Sequence, residues 1–237
     1  MDAFRKKYQI YGFKKFTSFV CIELYSRIIN RTLLNSYSQK KEDIFIDKLL
    51  GNKQKGFYVD VGAHDPYQFS NTYRFYKKGW RGINLEPDET GYKKFVELRK
   101  RDINLNIGVG NTNHALTFYK FCPSALSTFS EREAKTYIRK GFTLEKKVEV
   151  KVEKLSSIFR KYLPVKTIDF MSIDTEGFET EVLDSNNWSI FKPRIICIES
   201  VTYGGKRKDD GYHKFLISVG YNKIYDNKLN SIYLLQQ

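Results

Sequence analysis

Cysteine is scarce in this chain: Cys21, Cys122 and Cys197 are scattered over 237 residues. No CxxC pair or Cys/His spacing suggests a zinc site, and an odd count without a dense framework fits a reducing compartment rather than a disulfide scaffold. Long apolar runs are missing as well. No stretch approaches the roughly 18 residues of a membrane-spanning helix. The basic N-terminus has no apolar signal core followed by a small-residue cleavage site. These absences leave the cytoplasm as the expected location. Acidic residues are the minority charge, 27 Asp and Glu against 41 Lys and Arg, for a net +14. Such a field attracts anionic partners (nucleic acid, acidic lipid headgroups or phosphate-bearing substrates) without choosing among them. A lysine-rich solvated surface would carry the same charge. What the chain does have is a 41% hydrophobic content with 18 Phe and 17 Tyr, enough for a packed core. Its length suits one large domain plus a modest extension.

Residues 1–50 read as a basic helical extension and 51–237 as the main domain. In the extension Phe16, Phe19, Val20, Leu24, Ile28 and Leu33 fall near helical spacing among Lys14, Lys15, Arg27 and Arg31. Such a stripe either packs against the following domain or rests peripherally on an anionic membrane, here the inner face. A second helix, Glu42 to Leu50, ends at Gly51. From Gly56 onward short apolar runs alternate with helical segments. Strands are expected at 56–61, 81–85, 103–109, 167–173 and 194–199. Helices are expected at 70–78, 88–100, 178–186 and 210–219. The helix over 88–100 has an acidic first turn and a basic last turn, as the macrodipole favours. Residues 114–153 interrupt the alternation with strands at 114–121 and 147–153 around a polar, aromatic segment. Two closing strands, 222–225 and 231–235, join through Asp226-Asn227. This pattern predicts an α/β fold: a mostly parallel, Rossmann-like, seven-stranded sheet with an antiparallel edge hairpin and helices on both faces.

In such a sheet ligands bind beyond the carboxyl ends of the strands, and the informative residues fall there. Asp60-Val61-Gly62-Ala63-His64 follows the first strand, where glycine and alanine let a ligand approach the backbone. The strict GxGxxG pattern is absent, which counts against NAD or FAD. Glu86, with Pro87 after it, closes the second strand. It is placed to accept ribose hydroxyls or, alternatively, to cap the helix that follows. Asp174, Thr175, Glu176 and Gly177 follow the fourth major strand, where a carboxylate can take a hydroxyl proton or hold a divalent cation. Glu179 suits a helix N-terminus. Glu199 ends the next strand, before the basic, glycine-flexible loop Tyr203-Gly204-Gly205-Lys206-Arg207. His64 is either a general base or a wall of the pocket.

Three segments together resemble the FkbM-type methyltransferases. They are Asp60 through Glu86, with Ser70-Asn71-Thr72, Phe75-Tyr76 and Gly79-Trp80-Arg81-Gly82-Ile83-Asn84; Lys151-Val152-Glu153-Lys154-Leu155; and Ile168-Asp169-Phe170-Met171-Ser172-Ile173-Asp174-Thr175-Glu176-Gly177-Phe178-Glu179. Ser156 stands where the family often has aspartate, and Ser172 where lysine is common. The resemblance covers about residues 55–200. It implies a class I methyltransferase fold and S-adenosylmethionine as methyl donor, with a hydroxyl oxygen as the usual acceptor. The expected cofactor set is Asp60, Gly62, Ala63, His64, Ser70, Asn71, Thr72, Glu86, Pro87 and Asp174. The catalytic candidates are Asp174, His64 and Glu176, and the substrate candidates Glu199, Tyr203, Lys206 and Arg207. A divalent cation, if used, would sit on Asp174 and Glu176. The expected substrate is a sugar or glycan precursor. Nucleic-acid methylation is the alternative, but the chain carries no recognised nucleic-acid-binding module and no Asn-Pro-Pro-Tyr motif. A non-catalytic binding module is a third reading, and intact acids at Glu86 and Asp174 oppose it.

Overall fold

The computed structural model describes residues 34–201 and 211–236. The amphipathic stretch through Phe16 to Leu33, and Tyr203, Lys206 and Arg207, lie outside the described residues. Among the described residues no helix is long and apolar enough to cross a membrane. Three strands form the centre of the main sheet: β1 (Phe57–Val61), β7 (Phe170–Ile173) and β8 (Ile195–Glu199), each buried along its whole length. Parallel strands covered on both faces read as continuous apolar runs, and these do. β2 (Arg81–Leu85) and β3 (Ile103–Leu105) extend the sheet on one side; β10 (Asn230–Leu235) and β9 (Tyr221–Asp226) extend it on the other. The order is β3-β2-β1-β7-β8-β10-β9. The β1, β2, β3, β7 and β8 pairings are all parallel, while β10 is antiparallel to both β8 and β9. The closing hairpin therefore folds back on itself, so that β9 at the edge again runs in the direction of β8.

Period-two alternation assigns the side chains to two cores. Val59, Val61, Met171, Ile173, Ile196 and Ile198 point to one face. There they meet Ile158 and Phe159 of α5 (Leu155–Tyr162), Val182 and Leu183 of α6 (Glu179–Asp184) and Leu216 of α7 (Gly211–Ser218). Tyr58, Phe170, Ile195 and Cys197 point to the other face, against Ile46 of α1 (Glu42–Leu49), Leu50, and Phe75 of α2 (Tyr73–Lys77). The Phe75 and Phe170 rings lie 4.6 Å apart. Residues 42–50, assigned by sequence to the N-terminal extension, thus pack on the sheet.

Several sequence expectations are corrected. The strand expected over 103–109 is two strands in different sheets. β3 stays beside β2, whereas β4 (Gly108–Val109) joins a second sheet of order β4-β6-β5, with β5 spanning Ala115–Cys122 and β6 Thr143–Glu153. Between them Asn106 donates to the carbonyls of Glu86 and Pro87, which turns the chain away. At Gly108 a Cβ would meet the end of the Phe129 ring at 2.5 Å, so any larger residue would have to displace that ring from the crossing. The polar segment between β5 and β6 contains a helix, α4 (Glu131–Arg139), whose N-cap Ser130 accepts from the Glu133 N–H. α5 was not among the expected helices, and only its first residue, Leu155, falls in the segment 151–155 that resembles the family. α2 begins at Tyr73 rather than Ser70, because the Ser70 hydroxyl accepts the N–H of Tyr73 and caps it. In α3 (Glu89–Leu98) the acidic first turn holds, with Asp88 as N-cap accepting from Thr90 and Gly91. The basic last turn does not hold: the helix ends at Leu98, and Arg99 just beyond it is fully buried.

Candidate active site

The strand order reverses direction between β1 and β7, since β2 and β3 lie outside the former and β8 outside the latter. The chain leaves the sheet there at Gly62 and Asp174. Gly62 has φ +73°, and a Cβ on it would fall 1.9 Å from the carbonyl oxygen of Asp174. The two strand ends are that close because the Asp174 N–H donates to the Val61 carbonyl at 3.0 Å. Gly62 and Ala63 both donate to the Leu85 carbonyl, which ties the turn to β2 as well. Non-glycine residues with left-handed backbone are uncommon, and they concentrate at sites the surrounding structure holds fixed. His64, Phe69 and Glu176, at φ 52–56°, all border the same cleft.

The cleft has a volume of about 320 Å³, within the usual range of small-molecule sites, roughly 300–1,000 Å³. Asp60, Gly62, Ala63, His64, Ser70, Asn71, Glu86, Pro87, Asp174 and Glu176 all line it, so most of the residues expected from sequence converge. Thr72 does not reach the cleft. It is buried behind Asp60, whose Oδ2 accepts the Thr72 hydroxyl at 2.7 Å. Burial pushes the Asp60 carboxyl up to about 7, against the pull of that hydrogen bond and of the Arg99 charge. Glu86, only 5% exposed, accepts the N–H of His64 on Oε2 at 2.6 Å and that of Asp88 on Oε1 at 2.7 Å. Burial raises it to about 7 as well, opposed by those two N–H groups. The cap alternative is thus partly realised, since Glu86 fixes the start of the segment leading into α3. Each of its oxygens keeps a further lone pair for a ligand. Asn71 donates to the Ser172 hydroxyl at 3.0 Å. Burial lowers the pKa of His64, with Asp65 opposing, and its Nε2 lies 3.1 Å from the Ser124 hydroxyl.

Glu199, expected from sequence on the substrate side, is buried and does not line the cleft, but its carboxylate and those of the cleft residues Asp174 and Glu176 have oxygens within 4.8 Å of one another. Three such oxygens suit a hard cation, and equally suit a proton acceptor supported by its neighbours. Glu176 accepts from the Tyr137 hydroxyl at 2.8 Å on its side chain and from Thr128 on its backbone carbonyl. Glu179, read from sequence as a helix N-terminal acid, accepts the N–H groups of Thr175 and Gly177 and so holds this turn.

The second sheet supplies a roof that sequence did not anticipate. Phe118 and Lys120 of β5, Ser124 and Phe129 face the cleft. Lys120 pairs with Asp88, which fastens the roof to the start of α3. The aromatic content of 114–153 was the only signal for this role.

The site's donor set fits S-adenosylmethionine. Glu86 offers acceptors at the end of the second strand, Asp60 and Asp174 offer negative charge for a cationic group, and Val109, Phe118 and Phe129 offer apolar surface for a purine. Among solved structures the chain is similar to a putative caffeoyl-CoA O-methyltransferase from Staphylococcus aureus, at 11% identity and TM-score 0.45, covering 93% of this chain and 98% of that one. It is also similar to an O-methyltransferase from Bacillus cereus in complex with SAH, at 13% identity and TM-score 0.40, covering 100% and 98%. A fibrillarin from Methanococcus jannaschii, a pre-rRNA processing protein, is similar at 11% identity and TM-score 0.42, covering 84% and 75%. No curated protein matches the chain in sequence. The family model described as the methyltransferase FkbM domain matches residues 60–223, well over half the chain. Its first residue is the aspartate of the β1 turn, and its span takes in Glu86, Asp174 and Glu199. The chain therefore belongs to the FkbM family of S-adenosylmethionine-dependent methyltransferases.

Proposed function

We propose that this enzyme is an O-methyltransferase acting on a sugar hydroxyl of a surface glycan, capsule component or related metabolite. The observation that carries the reading is the group of three carboxylates, Asp174 and Glu176 in the cleft lining beside the Gly62 turn and the buried Glu199 within reach of both. A hydroxyl acceptor must lose its proton as its oxygen forms the new bond, and a carboxylate at that point can take it. S-adenosylmethionine, when bound, supplies a methyl group on a positively charged sulfur. That charge is lost on transfer, so a carboxylate beside it favours binding without selectively favouring the transition state. The chain's catalytic contribution is therefore alignment and proton acceptance. Asp174 is the first candidate base. His64, kept neutral by burial, is the second. A divalent cation on Asp174, Glu176 and Glu199 would instead orient the hydroxyl and acidify it. The basic loop with Tyr203, Lys206 and Arg207 suits an acceptor bearing phosphate or another anionic group.

The test is transfer of labelled methyl groups from S-adenosylmethionine into carbohydrate fractions and RNA from the source organism. Label in carbohydrate, at a position resistant to mild base, is expected. Label confined to RNA would overturn the sugar reading.

The site also predicts a pH dependence. Asp60 and Glu86 have carboxyls raised in the folded protein to about 7, from ordinary values of 3.8 and 4.5. Their protonated forms stabilise the fold fully below those ordinary values, and this contribution is lost as pH rises through about 7. Ligand binding runs the other way, because both groups act as anions or acceptors. Cofactor affinity is expected to rise as pH passes through 7, with net proton release on binding. Calorimetry in two buffers of different ionisation heat reads this directly. Identical heats would mean that neither carboxyl changes protonation on binding.

A further inference from the structure

We propose that Arg99 is a positioning residue for methyl transfer, acting through Ser70 and Thr72 on the Asp60 carboxylate that faces the cofactor cleft. This rests on the reading of that cleft as the cofactor site.

Arg99 lies just beyond the end of α3 with 0% of its surface exposed. Charged side chains are rarely buried without a partner, and a bidentate carboxylate is the usual one for a guanidinium. Here the nearest carboxylate, on Asp102, stands 3.7 Å from Nη1, beyond hydrogen-bond distance. Asp102 is itself engaged by the Tyr58 hydroxyl, the Asn84 amide and the Gly82 N–H. The guanidinium donates elsewhere: Nε to the Pro66 carbonyl at 2.8 Å, Nη1 to the Tyr58 hydroxyl at 2.9 Å, and Nη2 to Ser70 Oγ at 3.0 Å and Thr72 Oγ1 at 3.3 Å. The rings of Tyr73, Tyr76 and Phe95, centred 4.9–5.8 Å from Cζ, enclose it.

The direction of these bonds matters. A guanidinium has donors only, so both hydroxyls accept from it. The one proton of Thr72 is then directed to Asp60 Oδ2, and the Ser70 proton is free to support Thr72 at 3.1 Å. The result is a one-way chain from buried cation to site carboxylate, each bond polarising the next. It orients Asp60. Through Pro66 and Ser70 it also anchors the segment that carries Gln68, Phe69 and Asn71 along the cleft wall. The other charged or titratable groups facing Asp60 are Asp174 just after β7, Asp102 before β3, Glu86 just after β2, Tyr58 on its own strand and the buried Cys197 thiol of β8. Three of these five are carboxylic acids and none is a cation, so Arg99 is the cation that offsets them, and without it Asp60 would tend to hold a proton.

Because a buried arginine can be needed for folding, the relay is tested at both ends. Calorimetric titration with S-adenosylmethionine from pH 6 to 9 would compare wild type, Thr72→Val, Thr72→Ser and Arg99→Lys. Thr72→Val keeps the shape and removes the hydroxyl. It is expected to weaken binding at pH 7 by about tenfold, the net worth of a hydrogen bond to a charged group. It should also move the pH midpoint of binding upward, with the deficit closing towards pH 9. Thr72→Ser should recover most of the loss, and Arg99→Lys should follow Thr72→Val. A purely structural role would lower the melting temperature and leave the pH midpoint in place. Folded Thr72→Val with wild-type affinity and midpoint overturns the relay while leaving the cofactor site intact. Wild type that fails to bind overturns the site reading and the relay with it.

Discussion

Asp174→Asn is expected to slow single-turnover methyl transfer at saturating cofactor by roughly 10²–10⁴-fold, the usual contribution of a positioned proton acceptor. Asparagine preserves the size of the side chain but cannot take the hydroxyl proton. The Asp174 backbone is held by Val61, and its side chain lies among Glu176 and Glu199, so the substitution should leave the turn in place. Three outcomes are distinct. If Asp174 is the base, wild-type rates are indifferent to chelator. If it orients a cation, wild type falls in chelator and recovers with added divalent ion. If it only binds cofactor, the variant loses affinity but keeps its rate at saturation. That last result would remove Asp174 from the chemistry and make His64 the next base to test.

Gly62→Ala is expected to be the most damaging small substitution in the chain. A methyl group there would sit 1.9 Å from the Asp174 carbonyl oxygen, a backbone atom that cannot swing away. Relieving the overlap means separating β1 from β7 at the point where the cleft begins. Overpacking of this kind costs about 1–3 kcal/mol. The left-handed backbone adds about 1–2 kcal/mol for any residue with a Cβ. A melting temperature lower by roughly 5 °C or more follows for a chain of this size, together with loss of cofactor binding. Gly51→Ala supplies the control. Gly51 also has positive φ, at +64°, but no atom lies within 4 Å of the place a Cβ would take. It should show the backbone cost alone and bind cofactor normally. Equal effects of the two substitutions would mean that the Gly62–Asp174 approach does not matter.

That Asp60, Glu86 and Asp174 line one cleft was legible because parallel strands place ligand-binding residues at their carboxyl ends. Reading the strands at 56–61, 81–85 and 167–173 therefore also located Asp60, Glu86 and Asp174. The two roof strands were read at 114–121 and 147–153, but not their place over the cleft: β5 and β6 are half exposed, and their pairing across residues 115–151 is non-local. Two of the missed helices nevertheless had signals. Ser130 followed three residues later by Glu133 is a capping-box pattern. Leu155, Ile158, Phe159 and Tyr162 fall at helical spacing. Arg99 had none. Nothing in the sequence distinguishes it from the chain's other basic residues. Its place is decided by Tyr73, Tyr76 and Phe95 closing over it, a tertiary event. The division at residues 103–109 turned on Gly108 and Asn106, whose roles depend on Phe129 and on the carbonyls of Glu86 and Pro87.

The central claim, that the cleft at the ends of β1, β2 and β7 holds S-adenosylmethionine, is tested most directly by calorimetric titration of the full chain and its Glu86→Ala variant. Wild type should bind S-adenosylmethionine and its demethylated product with one site per chain. Glu86→Ala should stay folded and bind both about tenfold more weakly or worse, since a buried charge-assisted hydrogen bond is worth roughly 1.5–3 kcal/mol. Folded wild-type protein that takes up neither compound, or a Glu86→Ala variant with unchanged affinity for both, would contradict it.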